Sequence, residues 1–277
     1  RSSKRRGAVL TPTTEPARPP PALRTISITG GTALHPAQVK LWRQGQLCDA
    51  TVTAEGSEFS AHRTALVSGS EFFLGAFTSG LAESDTAHVS LPDLKAAAVE
   101  QVLNFLYTGE CCCTEGELQN LLDAASYLQV EALLVAMTAK ITERLTPENC
   151  LDIWALAEAH SLASLAAAAE LTALEHFEAV AATSDSGLTT LPHARLLALV
   201  KDERLNIRHE ETVHTAIMRW AAAQQPPPDE DALFALLSTV RYNLVPRAFF
   251  ETTVLTEGRL QGGLGLRVLF GATAGFT

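Results

Sequence analysis

Several features that mark common classes of protein are absent from this sequence or rare in it. Aromatic residues make up only 6% of the 277 residues, which disfavours an all-β fold, whereas the many Ala and Leu residues after position 96 favour helix. No apolar run reaches the roughly 20 residues that a membrane helix needs, because the Ala-rich stretch 162–169 is short and interrupted by Ser164. We therefore expect a soluble, mainly helical protein with no membrane partner.

Cysteine is scarce, and its pattern indicates the redox environment. The five cysteines stand at positions 48, 111, 112, 113 and 150, and no secretory signal precedes them. An odd number with three adjacent favours reduced thiols, and hence a location in the cytoplasm or the nucleus. Adjacent strand residues point to opposite faces, so Cys111–Cys113 predict no metal site, although an exposed, modifiable thiol there stays open. The chain begins with Arg1 rather than Met, so we expect a piece of a longer protein.

Positive charge is in short supply. The formal net charge is -10, and since a phosphate backbone is bound through positive charge, we expect no nucleic-acid partner for the folded part. Basic residues cluster only in Arg1 to Arg6. A short run of this kind at a terminus is typical of a solvated tail, with a localisation signal or a weak phosphate contact as the alternatives.

Catalytic motifs are missing as well. The sequence contains no G-x-S-x-G elbow, no G-x-x-x-x-G-K-[ST] phosphate loop and no G-x-G-x-x-G turn. His209 and His214 resemble the pair of a zinc-protease helix, but residues five apart point about 140° away from each other, so a solvated helix start is predicted. The run Asp229–Asp231 predicts an acidic first helical turn that complements the helix dipole. We therefore predict no catalytic, metal-binding or cofactor-binding residues, and no enzyme.

The sequence does contain two folded parts after an N-terminal tail. Residues 1–35 are basic and rich in Pro, cannot bury a core, and are predicted to be disordered. Pro36 opens a short helix, and a hairpin with its turn at Glu55-Gly56 follows. Thr146-Pro147 places a capping residue before a first-turn proline, which predicts a fresh helix start and a domain boundary.

The remaining apolar patterns set the fold class. A brief strand at Val89 and Leu91 is followed by helical stripes, the first of which ends at Gly109 in a left-handed cap. Residues 36–145 therefore predict an α+β domain with a small sheet flanked by helices. Residues 146–257 are predicted to be all-α, and 258–277 form a Gly-rich tail.

The order of these pieces resembles the kelch-like family, in which a BTB/POZ domain, here 36–145, precedes a BACK domain, here 146–257. The matching residues of the first part are Leu47-Cys48-Asp49, Phe59, Ala61-His62-Arg63, Ser70, Phe72-Phe73, Phe77, Phe105 to Glu110, Ala124-Ala125 and Leu128-Gln129. Those of the second part are Leu145, Pro147 to Leu151, Leu205-Asn206-Ile207, Glu210-Glu211, Val213, Met218-Arg219-Trp220 and Val240-Arg241. Many separate matches in the right order carry the resemblance.

The resemblance implies a non-enzymatic adaptor that binds cullin-3 and links a substrate protein to a ubiquitin ligase. The family's cullin contact includes a hydrophobic-x-Glu motif, which in this sequence is Leu81-Ala82-Glu83, with Leu81 as the anchor and Glu83 fixing the register. The alternative is that Leu81 packs on its own domain. Leu128 and Gln129 lie where the family's helix faces the cullin, although Leu128 also fits the apolar stripe of its own helix, and core packing is the alternative.

The resemblance also implies a homodimer formed through the BTB domain. Trp42, Asp49 and Arg63 match the family's dimer interface. Because one buried charge without the other would cost several kcal/mol, Asp49 and Arg63 are expected to act as a pair. The alternative is that both side chains find their polar partners within the monomer. This alternative is compatible with the dimer role.

The chain departs from the family pattern at its end. Kelch-like proteins continue into a propeller that selects the substrate, and here only the Gly-rich tail, residues 258–277, remains after the BACK match. Whether a propeller follows in the full-length protein, and which substrate it selects, stays open. Two other interpretations also stay open: a BTB scaffold for transcriptional regulators that does not recruit cullin, for which zinc-finger spacings are missing, and a cullin competitor without a substrate reader.

Overall fold

The computed structural model describes residues 25–79, 86–183 and 187–257. Within these ranges the first domain combines two small sheets with six α-helices and the 3₁₀ turn Glu115–Glu117, and the second domain is helical. The elements of the first domain are β1 Thr25–Thr29, α1 Pro36–Arg43, β2 Ala50–Ala54, β3 Ser57–Ala61, α2 Arg63–Gly69, α3 Glu71–Thr78, β4 His88–Ser90, α4 Ala96–Thr108, β5 Glu110–Thr114, α5 Leu118–Tyr127 and α6 Glu131–Thr142. The predicted α+β class is confirmed.

The predicted hairpin forms and anchors the larger sheet. β2 and β3 pair antiparallel across the two-residue turn Glu55-Gly56. Both turn residues have positive φ, 46° and 79°, which is the backbone that a tight hairpin of this twist requires. The Glu55 carboxylate accepts a hydrogen bond from the Ala96 amide at 3.0 Å and pairs with Lys95 at 2.7 Å. The turn therefore also caps α4, while β4 joins β2 in parallel to give the strand order β3-β2-β4.

The N-terminal boundary differs from the prediction. Residues 25–29, which composition placed in the disordered tail, form β1, and β1 pairs antiparallel with β5 in a separate two-stranded sheet. Ile26 and Ile28 are only 3% and 1% exposed, so alternate residues of β1 enter the core. The alternation covers only five residues beside Pro-rich and Gly-rich sequence, which is too short to outweigh composition. Residues 1–24 lie outside the described part of the chain.

Gly109 ends α4 in the left-handed cap that the sequence predicts. Its φ is 74°, and its amide donates to the Phe105 carbonyl at 2.8 Å. A Cβ at Gly109 would lie 2.4 Å from the Gly31 carbonyl oxygen. The glycine is therefore required twice, once for its backbone conformation and once for the close approach of the segment that connects β1 to α1.

Helix α4 is the centre of the first core. Its buried residues are Ala98, Val99, Val102, Leu103, Phe105, Leu106 and Tyr107. They pack with the inward faces of both sheets and with fully buried side chains from the other helices, among them Phe73, Leu122 and Leu133. Since burying one such large side chain contributes about 1.5–3 kcal/mol, this contiguous core is the main source of stability of the first domain.

The second domain is built of helices only, within the described residues. Its elements are α7 Cys150–Ala159, α8 Ala163–Glu175, α9 Phe177–Ala182, α10 His193–Lys201, α11 Glu210–Ala223, α12 Glu230–Leu237 and α13 Arg247–Phe249, which continues as the π-helical turn Phe250–Val254. Its core gathers around Trp154, Phe177, Ile217 and Trp220. Ala157 of α7 and Leu165 of α8 belong to the first core instead, so the two domains share packed side chains where they meet.

The first helix of the second domain starts later than predicted. Thr146-Pro147 predicts a helix from that point, but α7 begins at Cys150. The Asn149 side chain explains the delay, because its Oδ1 accepts the Thr146 amide at 2.8 Å and its Nδ2 donates to the Arg144 carbonyl at 3.0 Å. These bonds hold the connection as a turn. Sequence reasoning gave the capping role to Thr146 and overlooked this asparagine.

The segment around His209 and His214 is only partly the solvated helix start that was predicted. His209 is exposed and precedes α11, but His214 is 1% exposed and Glu210 is 6% exposed. The prediction of full solvation was therefore wrong for these two residues. In contrast, the acidic start of α12 is confirmed, since the Asp229 side chain accepts the Ala232 amide at 2.7 Å.

Among the helices of the described residues, none combines the length and the apolar character that crossing a membrane would require.

Candidate interaction surfaces

The end of α5, which carries Leu128 and Gln129 of the expected cullin contact, is bonded to the start of α3. Ser70 stands between α2 and α3, and its hydroxyl donates to the Leu128 carbonyl at the end of α5 at 2.5 Å. The same hydroxyl accepts the Phe73 amide at 3.2 Å, so it also caps α3. Ser70 is 3% exposed. One buried hydroxyl therefore joins the start of α3 to the last turn of α5.

The surface over this junction carries large exposed side chains. Leu74 on α3 is 39% exposed and Tyr127 on α5 is 53% exposed. The Phe72 ring, also on α3, packs against Tyr127 with centroids 5.2 Å apart. Together with the exposed Gln129, these residues form what we call the α3–α5 surface. An apolar centre with a polar edge is typical of a protein interface.

Gln129 occupies a special backbone position at the edge of the α3–α5 surface. Its φ is 51°, its amide donates to the Ser126 carbonyl at 3.1 Å, and the Val130 amide donates to the Ala125 carbonyl at 3.0 Å. This pair of bonds is a Schellman helix end, in which glycine is the usual residue. A side chain in this conformation costs about 1 kcal/mol, and such residues concentrate at functional sites.

Of the residues assigned to the cullin contact, Leu128 lies in the core. Its side chain is 0% exposed, which fits the core-packing alternative and leaves no surface of Leu128 for a partner. Leu81 and Glu83 lie outside the described residues. The helix α3 that precedes them ends at Thr78. Tyr127 was missed by sequence reasoning because a single exposed aromatic residue leaves no periodic signal.

The residues assigned to the dimer interface lie on another part of the first domain. Trp42 of α1 stacks on Tyr107 of α4 with centroids 4.1 Å apart and the rings nearly parallel at 5°. The Tyr107 hydroxyl accepts the His62 amide at 2.8 Å and lies 2.9 Å from His62 Nδ1. Burial raises the pKa of Tyr107 to about 12, so the phenol stays neutral and available as a hydrogen-bonding partner.

Asp49 and Arg63 are brought together through the backbone. Asp49 Oδ1 accepts the Arg63 amide at 2.7 Å at the start of α2, and the Arg63 guanidinium lies 4.9 Å from the centre of the Phe77 ring. Asp49 is exposed, so this carboxylate keeps its water contact while it caps the start of α2. The hydrogen bond of Asp49 lies within the monomer. It fits the alternative that the carboxylate has a structural role in its own domain, which is compatible with a dimer role.

Leu47 marks the same region as an exposed apolar site. It lies between α1 and β2, has a φ of 59° and is 79% exposed. A single exposed leucine is common on protein surfaces, but a left-handed backbone at leucine costs about 1 kcal/mol, and such residues concentrate at functional sites. We call Trp42, Leu47, Asp49 and Arg63 the α1–β2 surface.

The described residues contain no candidate metal centre. No group of three or more His, Cys, Asp or Glu side chains there is placed to hold a metal ion. Ser126, His160 and Asp123 lie in contact, with Ser126 Oγ 3.2 Å and Asp123 Oδ1 3.3 Å from the ring. The His160 side chain is only 9% exposed between two helices of different domains, so we interpret this contact as a structural link.

The Cys111–Cys113 run alternates along β5. Cys111 and Cys113 are buried, and burial raises the pKa of their thiols to about 12 and about 11. Cys112 is exposed, and its amide donates to Gln101 Oε1 at 3.0 Å. The expectation that adjacent thiols face opposite ways is confirmed, and Cys112 is the accessible thiol of the three.

Comparison with known proteins agrees with this geometry. The family model of the BTB/POZ domain matches residues 39–145, and that of the "BTB And C-terminal Kelch" domain, BACK, matches residues 150–255. The chain is similar to human kelch-like protein 17, with 36% identity over 218 residues that make up 77% of this chain and 33% of the relative. It is similar to mouse kelch-like protein 7, with 31% identity over 219 residues, or 79% of this chain and 37% of the relative. The chain thus spans about a third of the length of the curated relatives it matches.

Proposed function

The chain belongs to the kelch-like family of BTB–BACK proteins, and from that premise we propose that it is a non-enzymatic, dimeric adaptor. It binds cullin-3 through its first domain and links a substrate protein to a cullin-RING ubiquitin ligase. The second domain sets the distance between the ligase and the substrate. The substrate is a protein bound outside the described residues, and the adaptor needs no cofactor, no nucleic acid and no membrane.

The observation that carries the proposal is the bond between Ser70 and the Leu128 carbonyl. It fixes the end of α5, which carries Leu128 and Gln129 of the expected cullin contact, against the start of α3, the helix that precedes the Leu81-Ala82-Glu83 motif in the chain. Both helices carry an exposed apolar side chain, Leu74 on α3 and Tyr127 on α5. Buried aromatic anchors dominate the energy of protein interfaces, and Tyr127 offers such an anchor.

Within this surface each residue has a proposed role. Tyr127 and Leu74 supply the apolar centre, and Gln129 supplies hydrogen bonds at the edge. Leu81 is proposed as a second apolar anchor and Glu83 as the charge that fixes register, on the strength of the sequence motif alone. Leu128 contributes by packing beneath the surface, since it is 0% exposed.

The dimer is proposed to form through the α1–β2 surface. Leu47 would be covered by a second copy, which would remove the cost of exposing it. Trp42, held flat on Tyr107, gives that surface a rigid wall. Asp49 and Arg63 lie at its edge. In a two-fold interface each of these residues occurs once in each protomer. A single substitution therefore removes contacts at two places in the interface and has a large effect on dimer affinity.

A cytoplasmic or nuclear location is part of the proposal. All five cysteines are free thiols, which suits a reducing compartment. The net charge of -10 supports the absence of a nucleic-acid partner, because such partners are bound through positive charge.

Calorimetry with the purified N-terminal domain of cullin-3 tests the proposal. The unmodified chain should bind saturably at one site per protomer, and light scattering should give the mass of a dimer. Tyr127→Ala should weaken binding about 30-fold, as expected for a hot spot of about 2 kcal/mol. A Leu81→Ala/Glu83→Ala double variant should lose most of the binding.

Leu244→Ala is the matched control. Leu244 is 58% exposed but belongs to the second domain, so its removal should leave the affinity unchanged. No binding by a folded dimer would refute the cullin role and favour a scaffold that uses the same surfaces for other partners. If the protein binds cullin-3 but captures no substrate, even in a longer form of the chain, it would instead compete with adaptors for cullin-3.

A further inference from the structure

His160 connects the two domains at the helix that carries the α3–α5 surface. It follows the last residue of α7, and its Nδ1 lies 3.2 Å from Ser126 Oγ on α5. Its Nε2 lies 3.1 Å from Gln119 Nε2 and 3.3 Å from Asp123 Oδ1. These three partners stand four and three residues apart on α5 and therefore share one face of the helix. The His160 side chain is 9% exposed.

The contact joins two helix ends of the same kind. Like α5, α7 ends in a Schellman motif: Ser161 has a φ of 56°, its amide donates to the Glu158 carbonyl at 3.0 Å, and the Leu162 amide donates to the Ala157 carbonyl at 2.7 Å. Both ends place a non-glycine residue in the left-handed conformation. A strained conformation persists only where its surroundings hold it, and His160 ties one such end to the other.

The neutral imidazole can satisfy both of its nitrogens in this place. With hydrogen on Nδ1 the ring donates to Ser126 Oγ and accepts the Gln119 amide at Nε2. With hydrogen on Nε2 it donates to Asp123 Oδ1 and accepts the Ser126 hydroxyl at Nδ1, while the Gln119 amide donates to Asp123 Oδ1 at 3.1 Å. Both tautomers keep the link between Nδ1 and the Ser126 hydroxyl. An apolar side chain of similar size would leave the Ser126 hydroxyl and the Gln119 amide without this partner.

We propose that His160 is a positioning residue for partner binding: by holding Ser126 it fixes the last turn of α5, and with it Tyr127 and Gln129, in the conformation that the partner meets. This role rests on the proposed function of the α3–α5 surface. Tyr127 follows Ser126 directly in the chain, and Gln129 lies three residues after it. A surface that is already ordered binds more tightly, because less conformational freedom is lost on association.

His160→Leu and His160→Asn separate positioning from bulk. Leucine fills the space but makes no hydrogen bond, whereas the asparagine amide reaches the place of Nδ1 and keeps the link to Ser126. Binding of the cullin-3 N-terminal domain, measured by calorimetry, should weaken roughly tenfold in the leucine variant and less than about threefold in the asparagine variant. His176→Leu is the control, since His176 also follows a helix of the second domain, α8, but is exposed.

Hydrogen exchange supplies a readout that a general loss of stability would not mimic. In the leucine variant, amides 128–130 should exchange faster while those of α4 keep their protection. In the asparagine variant both segments should exchange as in the unmodified chain.

The outcomes distinguish the two proposals. If the unmodified chain binds cullin-3 and His160→Leu binds equally well, or binds less without faster exchange at amides 128–130, the positioning role is overturned while the adaptor function stands. If the unmodified, folded chain does not bind at all, the adaptor function fails, and the positioning role fails with it.

Discussion

Glu210 and Arg241, 31 residues apart in the chain, are joined by three hydrogen bonds. Glu210 Oε1 accepts the Arg241 amide at 2.7 Å, and Oε2 accepts the guanidinium Nε at 3.1 Å and Nη2 at 2.9 Å. The Glu210 side chain is 5% exposed, whereas that of Arg241 is 59% exposed. The pair ties the start of α11 to the segment after α12, and its two members are very unequally hydrated.

This inequality predicts an asymmetric response to mutation. Arg241→Ala leaves a buried carboxylate without its guanidinium and should lower the free energy of unfolding by about 3–5 kcal/mol. Glu210→Gln leaves a guanidinium that water already reaches and should cost about 1–2 kcal/mol. Urea unfolding of the two variants, followed by circular dichroism, measures both values.

Arg247→Ala is the control for this comparison. Arg247 pairs with Glu251 at 2.7 Å, but their side chains are 91% and 52% exposed, so its loss should cost less than about 1 kcal/mol. Equal costs for Arg241→Ala and Glu210→Gln would show that burial of the carboxylate does not govern the pair.

The stability of the second domain should fall as the pH is lowered from 7 to 5, because of His214. Its side chain is 1% exposed, its Nδ1 lies 3.0 Å from the Tyr242 hydroxyl, and its Nε2 has no hydrogen-bond partner among the residues that the structure describes. Burial lowers the pKa of His214 from 6.5 to about 4. Between these two values the unfolded chain binds more protons than the folded one, so stability is full above pH 6.5 and declines toward pH 4, by up to about 3 kcal/mol.

His214→Phe tests the assignment of this pH dependence. Phenylalanine cannot take up a proton, so the variant should lose the part of the decline that lies between pH 6.5 and pH 5, where few carboxyl groups titrate. His209→Gln changes an exposed neighbour and should retain the decline. Thermal melts at half-unit pH intervals decide the matter, and an unchanged slope in His214→Phe would assign the decline to other groups.

The features that the sequence predicts correctly are local ones. Local turn residues predict the hairpin at Glu55-Gly56 and the cap at Gly109. Apolar residues spaced three and four apart predict the helices. β1 was missed because its two isoleucines stand among residues of a disordered composition. The burial of Glu210 could not be read from its neighbours, because the partner that permits it, Arg241, lies 31 residues away.

The candidate surface was predictable to a similar degree. The family motif located Gln129 and the end of α5, and the apolar stripe gave the core alternative for Leu128. The contribution of Tyr127 depends on which side of α5 the core leaves exposed, and the link from His160 depends on how two domains pack. Both are consequences of tertiary structure, which no local pattern encodes.

Glycine at position 109 should be far less replaceable than glycine at position 56. Both have positive φ, 74° and 79°. A Cβ at Gly109 meets the Gly31 carbonyl oxygen at 2.4 Å, whereas one at Gly56 meets nothing within 4 Å. Gly56→Ala should therefore cost about 1 kcal/mol for backbone conformation alone, and Gly109→Ala about 3 kcal/mol or more because the backbone of the β1–α1 connection must also move. Similar melting temperatures for the two variants would contradict the close approach.

Alkylation should single out Cys112 among the five thiols. Cys111, Cys113 and Cys150 are buried, and burial raises the pKa of the Cys150 thiol to about 11, so these three are both shielded and protonated near neutral pH. Cys48 is half-buried, and burial together with the nearby Asp49 raises its pKa. Because the thiolate is the reactive form, brief treatment with iodoacetamide at pH 7.5 should label Cys112 first, as read by peptide mass spectrometry.

A Cys112→Ser variant and an unfolded sample complete that experiment. The variant should lose the fast label and gain none elsewhere, while the chain in guanidinium chloride should take up five labels, one for each cysteine. Fast labelling of Cys111 or Cys113 in the folded chain would mean that β5 opens readily. Since β5 is held on one side by β1, that result would also imply that the N-terminal strand leaves its place in the monomer, whereas slow labelling of both would show that β1 stays docked.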